Sequence, residues 1–276
     1  MAMNSDNRRR AFADVVTIDA WHEAFTEETS KVDLHADVVF GTARVGGEME
    51  APVRFRLSVK RAEIVVIIPE LEPVSVDKTS VSRDSPELEG RLTEIIEQAT
   101  HASAEGIISA QVSASSGAHA SVSGKARAAG DFSKSKKLEV SETIQLILAT
   151  QSKTEDGHYR WLMEPGNSSV LKGRPWDAAK KPRLKLVDCR SDRGKGIPPT
   201  VRVEVRCRRE DLAIEDIEIK DKKLWESVKN RIGFKNRLAA AESYIRDRLT
   251  EEGLQVKNIS DVFGQITLGS TTAQPV

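Results

Sequence analysis

Residues 32–40 read VDLHADVVF, and they decide the fold class. In this stretch the apolar residues Val32, Leu34, Ala36 and Val38 alternate with polar ones. A period of two is the pattern of a strand that buries one face and exposes the other. The stretch therefore predicts a half-buried β-strand.

The same period returns in residues 53–59, where Val, Phe, Leu and Val alternate with Arg, Arg and Ser. Gly46 and Gly47 lie between the two segments and suit a turn. The pattern predicts that residues 32–40 and 53–59 form a hairpin. Residues 62–68 predict a more deeply buried strand that stops at Pro69.

Alternation also predicts strands later in the chain, at residues 138–148, 184–187 and 200–207. Residues 213–219 are expected to extend the sheet of the last two. Residues 157–182 hold two tryptophans and several turn formers, and they predict a long ordered loop.

Four helices are predicted along the chain. Residues 19–25 suit a short helix, and residues 87–99 follow Ser85-Pro86 with apolar residues on one helical face. Two helices are predicted near the carboxyl end, the first from Leu224, Val228 and Ile232. The second follows from Leu238, Ala241, Ile245 and Leu249, and Gly253 can cap it. A strand at residues 265–268 is expected after them.

These elements predict an α+β protein, mainly antiparallel β-sheet and sandwich-like, with a helix near residues 87–99 and a helical carboxyl-terminal region. Residues 1–10 are predicted to be a disordered arm and residues 11–220 a β-rich domain. Residues 221–276 are predicted to be helical and to end in a short strand. At 276 residues, 39% of them hydrophobic, the chain can bury a core without disulfides.

Residues 106–130 read GIISAQVSASSGAHASVSGKARAAG and contain no aromatic residue. Small apolar residues occupy most even positions and polar residues the odd ones, with Ser-Ser-Gly in the middle. This register predicts a hairpin over residues 107–127 that packs its alanine face. The alternatives are a disordered loop and a hairpin that inserts into a membrane as two strands, although aromatic girdles are missing.

Several features indicate a cytoplasmic protein without cofactors. The first ten residues lack the apolar region of a secretory signal, and the longest dense apolar run, residues 64–68, is too short to span a bilayer. Cys189 and Cys207 are expected to be reduced thiols, with Cys207 buried. The five histidines have no metal-ligand spacing.

The formal net charge is zero, but the charges are unevenly distributed. Residues 11–100 contain eighteen acidic and nine basic residues, and residues 172–209 contain thirteen basic and four acidic ones. Such blocks can attract an outside partner, or each other within one chain or between subunits. A homo-oligomer is therefore one expectation.

The basic block, residues 172–209, is the strongest functional candidate. Arginines that share strand parity, with Trp176 nearby, suit phosphate contacts and some stacking. The alternative is a solvated face that pairs with acidic residues of the protein itself. The candidate residues for binding nucleic acid or another anion are Lys180, Lys181, Arg183, Lys185, Arg190, Arg193, Lys195, Arg202, Arg206 and Arg208.

The sequence favours a non-enzymatic binding or assembly protein, whose partner is nucleic acid or an acidic protein. The first alternative is a membrane-active protein that inserts the hairpin of residues 107–127. The second is a metal-dependent nuclease built on Glu218 and Lys220 with Asp188 or Asp192, because such cleavage needs carboxylates and a lysine.

Overall fold

A computed structural model of the chain describes residues 8–48, 51–83, 146–191, 197, 199–220 and 234–276, with side chains from residue 237 in the last range. These residues belong to one compact unit, Met1–Ser85 with Leu146–Val276. The first strands are β1 (Arg8–Arg10), β2 (Val16–His22), β3 (Lys31–Phe40), β4 (Ala43–Val45), β5 (Val53–Val59), β6 (Ala62–Ile67) and β7 (Val74–Asp77). The later strands are β8 (Ile147–Lys153), β9 (Tyr159–Pro165), β10 (Leu184–Asp188), β11 (Arg202–Arg208), β12 (Leu212–Ile219), β13 (Gln265–Thr272) and β14 (Gln274–Pro275). A 3₁₀ turn (Arg209–Asp211) precedes β12, and helix α1 is Phe234–Glu251.

The strands form three sheets. The first has the order β1-β13-β11-β6-β9-β8, the second β14-β2-β3-β10-β7, and the third β12-β5-β4. Neighbours are antiparallel except for β14 and β2, which are parallel. The predicted α+β class with mainly antiparallel sheets is confirmed.

The three sheets share one hydrophobic core. Strand β2 of the second sheet packs across β13 and β11 of the first. Its inward residues Ile18 and Ala20 are buried, as are Val203 and Val205 of β11. Gly269 lies under β2, where an added Cβ would come within 3.1 Å of the Ile18 side chain. The glycine therefore permits the close approach of the two sheets.

Helix α1 confirms the second predicted helix of the carboxyl region. Ala241, Ile245 and Leu249 are fully buried, and α1 packs on β12 and β5. Gly253, with φ of +68°, follows the helix end as predicted. In the ranges that the structure describes, no helix has the length and apolarity needed to cross a membrane.

Several local predictions were wrong. Residues 16–22 form strand β2 and not a helix, because buried and half-buried residues alternate along it. Residues 159–165 form β9 within the predicted loop, and Trp161 and Met163 of β9 belong to the core. Residues 8–10 pair with β13 as β1, so a disordered arm does not extend through them.

Two pairing predictions were also wrong. Strand β3 pairs with β2 and β10, whereas β5 forms its hairpin with the short strand β4. Strands β10 and β11 lie in different sheets, and β12 does not extend either of them. The strands themselves were found from local alternation, but alternation carries no information about the partner.

Some predictions lie outside the described residues. These are the helix near residues 87–99, the hairpin of residues 107–127, the first carboxyl-terminal helix and most of the strand at residues 138–148. Strand β13 confirms the strand predicted at residues 265–268 and continues to Thr272. Strand β13 lies between β1 and β11 in the six-stranded sheet, and β14 after it joins the five-stranded sheet.

The turn after β4 yields a stability prediction. Gly46 has φ of +77°, and an added Cβ would lie 1.9 Å from the carbonyl oxygen of Val53. Gly46→Ala should therefore reduce the free energy of unfolding by about 2 kcal/mol, measured by urea denaturation. Gly47→Ala is the matched control, because a Cβ there meets nothing within 4 Å. Equal effects of the two substitutions would contradict this account of the turn.

Candidate functional site

The ten basic residues predicted to form one face are divided between two sheets. Lys185 lies in β10 of the five-stranded sheet, next to Lys180, Lys181, Arg183 and Arg190 in the flanking segments. Arg202, Arg206 and Arg208 lie in β11 of the six-stranded sheet. Arg193 and Lys195 are outside the described residues. The described candidates therefore do not form a single strand face.

Arg183 is fully buried beside two tryptophans. Its guanidinium carbon lies 3.9 Å from the ring centroid of Trp176 and 6.0 Å from that of Trp161. Its Nε and Nη2 atoms donate to the carbonyl oxygen of Lys181 at 3.2 and 2.9 Å. Aromatic faces and carbonyl oxygens stabilise a cation that has lost its water. Arg183 therefore belongs to the core and is closed to an outside ligand.

The stacking of Arg183 can be tested by Arg183→Lys. An ammonium cannot lie flat on Trp176 or donate from two nitrogens, so we expect the free energy of unfolding to fall by about 2 kcal/mol. Urea denaturation measures it. Lys181→Ala keeps the accepting carbonyl and removes only an exposed side chain, so it should have little effect. A lysine variant as stable as the natural protein would contradict the stacking role.

The acidic and basic blocks attract each other within the chain. Lys185 of β10 lies 3.0 Å from Asp33 of β3, its partner in the sheet. Arg174 donates to Asp37 through Nε at 2.9 Å, and this hydrogen bond raises the pKa of Arg174. Both aspartates belong to the acid-rich segment. The alternative of self-compensation therefore holds for these pairs.

Other cations of the basic block have carboxylate partners close by in sequence. Arg190 is bound to the fully buried side chain of Asp188 at 2.7 Å. The weaker pairs are Lys180 with Asp177 at 3.4 Å and Arg208 with Glu210 at 3.5 Å. Such exposed pairs are worth little stability, but each reduces the positive charge that a partner would meet.

Arg202 lies at a polar cleft of about 340 Å³ on the outer face of the six-stranded sheet. Strands β1, β13 and β11 form its floor, and residues 253–255, which follow α1, form a wall. We call it the arginine cleft. Its polar floor residues are Arg9, Arg202, Glu204, Thr267, Ser270 and Thr272.

Strand register brings these residues together. Arg9 of β1 is paired with Ser270 of β13, and Ser270 is paired with Glu204 of β11. Arg202 is paired with Thr272. Residues directly opposite each other in an antiparallel pair point to the same face of the sheet. The two arginines therefore flank the hydroxyl-bearing strand β13.

Glu204 holds Arg202 in place. Its side chain is 7% exposed, and its Oε1 lies 2.9 Å from Arg202 Nε while its Oε2 lies 2.7 Å from Arg206 Nε. A carboxylate with so little water needs this compensation. Arg202 uses Nε for this contact and remains 47% exposed, which leaves its two Nη groups for other acceptors.

Arg9 lies on the opposite side of β13 and is exposed. Its Nη1 donates to the carbonyl oxygen of Gly253 at 3.3 Å, a long hydrogen bond. A Cβ at Gly253 would lie 3.1 Å from the same nitrogen. The glycine thus leaves room for the guanidinium at the edge of the cleft.

A second, wider depression of about 510 Å³ is less suited to an anion. Lys60 and Arg61 line it together with Glu164, Glu210 and Asp211. The hydrogen bond from Arg61 to Asp211, at 2.8 Å, raises the pKa of Arg61. Acidic groups outnumber basic ones here, so its charge is already balanced.

The residues of the nuclease hypothesis do not converge. Glu218 lies on β12 and is 3.7 Å from Arg44, whereas Asp188 lies on β10 in another sheet. Lys220 donates to the carbonyl oxygens of residues 46, 47 and 48 at 2.8, 3.4 and 3.2 Å. Its ammonium thus binds the backbone of the β4–β5 turn. No group of His, Cys, Asp and Glu in the described ranges could hold a metal ion; Asp192 is outside those ranges.

The two thiols have different environments. Both are free, Cys189 exposed and Cys207 buried as its parity predicted. Burial raises the pKa of Cys207, since the thiolate loses its water, and the charge of Asp211 acts in the same direction. Cys207 is therefore a core residue without nucleophilic character.

Thiol labelling tests this difference. At neutral pH the disulfide reagent DTNB should modify one thiol of the folded protein, Cys189, and the second only after unfolding. The absorbance of the released thionitrobenzoate gives the number of thiols modified per chain. Cys189→Ser should abolish the rapid phase, and rapid labelling of that variant would contradict the burial of Cys207.

Comparison with known protein families and with curated proteins found no match to this chain.

The sequence pointed to only part of this site. Arg202 and Arg206 are among the candidates from the sequence, but Arg9 lies in the predicted disordered arm and no pattern singles out Ser270 or Thr272. The run Arg8-Arg9-Arg10 was the available signal, and no local pattern indicated that it pairs with β13.

Proposed function

We propose that this is a non-enzymatic binding protein that holds an anionic partner, nucleic acid, at the arginine cleft. One observation carries the proposal: Arg9 and Arg202 flank the hydroxyls of Ser270 and Thr272 in a concave site. Guanidinium groups recognise phosphate through paired N–H donors, and hydroxyls add further donors.

The cleft is a better candidate than the rest of the basic block. Arg183 is buried, and Lys185 and Arg190 are bound to Asp33 and Asp188. In the cleft, one carboxylate is shared between two arginines, and Arg9 contacts only a carbonyl among its described partners. Positive charge in excess of acid is therefore concentrated there.

The chemistry of the cleft favours binding over catalysis. Its titratable carboxyl, Glu204, is bonded by two arginines and so is not available as a general base. The remaining polar floor residues are arginines and hydroxyls. These groups can position an anion and stabilise its charge.

Two further expectations accompany this proposal. We expect the protein to act in the cytoplasm, where reduced thiols such as the exposed Cys189 persist. Self-association remains a prediction, and the ion pairs of Asp33 and Asp37 inside one chain reduce the charge that could drive it.

Fluorescence anisotropy with a labelled single-stranded oligonucleotide tests the proposal. Arg9→Gln and Arg202→Gln should each weaken binding about tenfold to a hundredfold, because each removes a charge-assisted hydrogen bond worth roughly 1.5–3 kcal/mol. The slope of log K against log salt should also become shallower, by about 0.7 for each phosphate that the variant no longer neutralises.

Arg174→Gln is the matched control, because it removes the same charge from an exposed arginine of the five-stranded sheet. It should leave affinity unchanged. Circular dichroism before and after each titration checks that the variants are folded. An equal decrease in affinity in all three variants would indicate general charge attraction, and absence of binding to the natural protein would reject nucleic acid as the partner.

A further inference from the structure

The arginine cleft has dimensions that suit one anionic group held from two sides. Arg9 and Arg202 are two strands apart and offset by two residues, so their Cα atoms lie about 12 Å from each other by standard sheet spacings. Both side chains are long enough to reach a group above the middle strand. The side chains of Ser270 and Thr272 occupy that middle position.

The charge around the cleft suits a dianion. Arg206 does not line the cleft, but it is bonded to Glu204 at 2.7 Å and balances the charge of that carboxylate. Arg9 and Arg202 then contribute two positive charges to the cleft. A carboxylate or an internal phosphodiester carries one negative charge, whereas a phosphate monoester carries about −1.5 to −2 at pH 7.

The donors of the cleft suit three phosphate oxygens. Arg202 keeps its Nη groups after binding Glu204, and Arg9 makes a single long hydrogen bond. Ser270 is 9% exposed yet lines the cleft. Among the contacts of the described residues, its hydroxyl and that of Thr272 have no protein partner. A terminal phosphate offers three acceptor oxygens to such a set of donors.

Residues 253–255 line the cleft beside Arg9, just after the C-terminal end of α1. The negative end of α1 is already satisfied there, because the N–H groups of Gly253 and Leu254 donate to the carbonyls of Thr250 and Leu249 at 2.9 Å.

We infer that the arginine cleft binds a terminal phosphate monoester of single-stranded nucleic acid. This inference rests on the proposed function, since it names the group that the same cleft recognises. The Nη groups of Arg9 and Arg202 contact the phosphate oxygens, and the hydroxyls of Ser270 and Thr272 donate to them. Glu204 is a positioning residue, which holds Arg202 and does not contact the phosphate.

The experiment compares two oligonucleotides of one sequence, one with a 5′-phosphate and one with a 5′-hydroxyl, both labelled at the 3′ end. Anisotropy titrations at equal ionic strength should show about tenfold tighter binding of the phosphorylated strand, for one extra charge-assisted hydrogen bond. The double variant Arg9→Gln with Arg202→Gln should bind both strands equally. Arg174→Gln should preserve the preference.

The outcomes separate this inference from the proposed function. If both strands bind equally and the arginine variants weaken both, the cleft binds internal phosphates and the terminal-phosphate inference is overturned. If neither strand binds, the proposed function fails as well. A phosphoserine peptide of matched charge serves as a further arm, and tighter binding of that peptide would overturn nucleic acid as the carrier of the phosphate.

Discussion

The antiparallel pairing of β13 with β1 and β11 is the constraint on which the structure depends. It places the last long strand of the chain between its first strand and one that begins at residue 202. Gly269 has no side chain and so leaves space for Ile18 of β2, which lets the five-stranded sheet pack on the six-stranded one. Because the contacts of β13 with β1 and β2 join residues more than 240 positions apart, they require most of the chain and form at a large loop-closure cost.

The same pairing creates the polar outer face. Glu204 lies two strands from the sheet edge and is 5% exposed, so its charge would be unfavourable without partners. Arg202 and Arg206 share its strand parity and supply them. An ion pair required by burial thus also fixes the direction of Arg202. Arg9 of β1 also lines the cleft, but it does not compensate the charge of Glu204, since it donates to the carbonyl of Gly253.

Local patterns predicted what depends on neighbouring residues. Alternation located β3 and β5, a short apolar run located β6, and helical spacing located α1, since burial follows from the order of side chains along each element. Alternation could not show that β5 pairs with β4 and β12, because a strand with one apolar face can pair with many partners. The sequence did not predict the arginine cleft for the same reason, because Arg9 and Ser270 are brought together only by the register of β1 and β13. The sequence placed Trp176 near the basic block but gave no sign that Trp176 and Trp161 enclose Arg183, because Trp161 comes from β9.

The distribution of charge explains why the basic block, residues 172–209, contributes only a few residues to the arginine cleft. Asp33 and Asp37 of β3 face Lys185 and Arg174, so the contact between the blocks neutralises charge where the chain folds on itself. Positive charge remains in excess where β1 joins the sheet, on a concave surface. A concave, partly desolvated site strengthens each interaction with an anion, whereas a broad basic surface is weakened by salt. Recognition at this protein should therefore depend on one well-placed group more than on total charge.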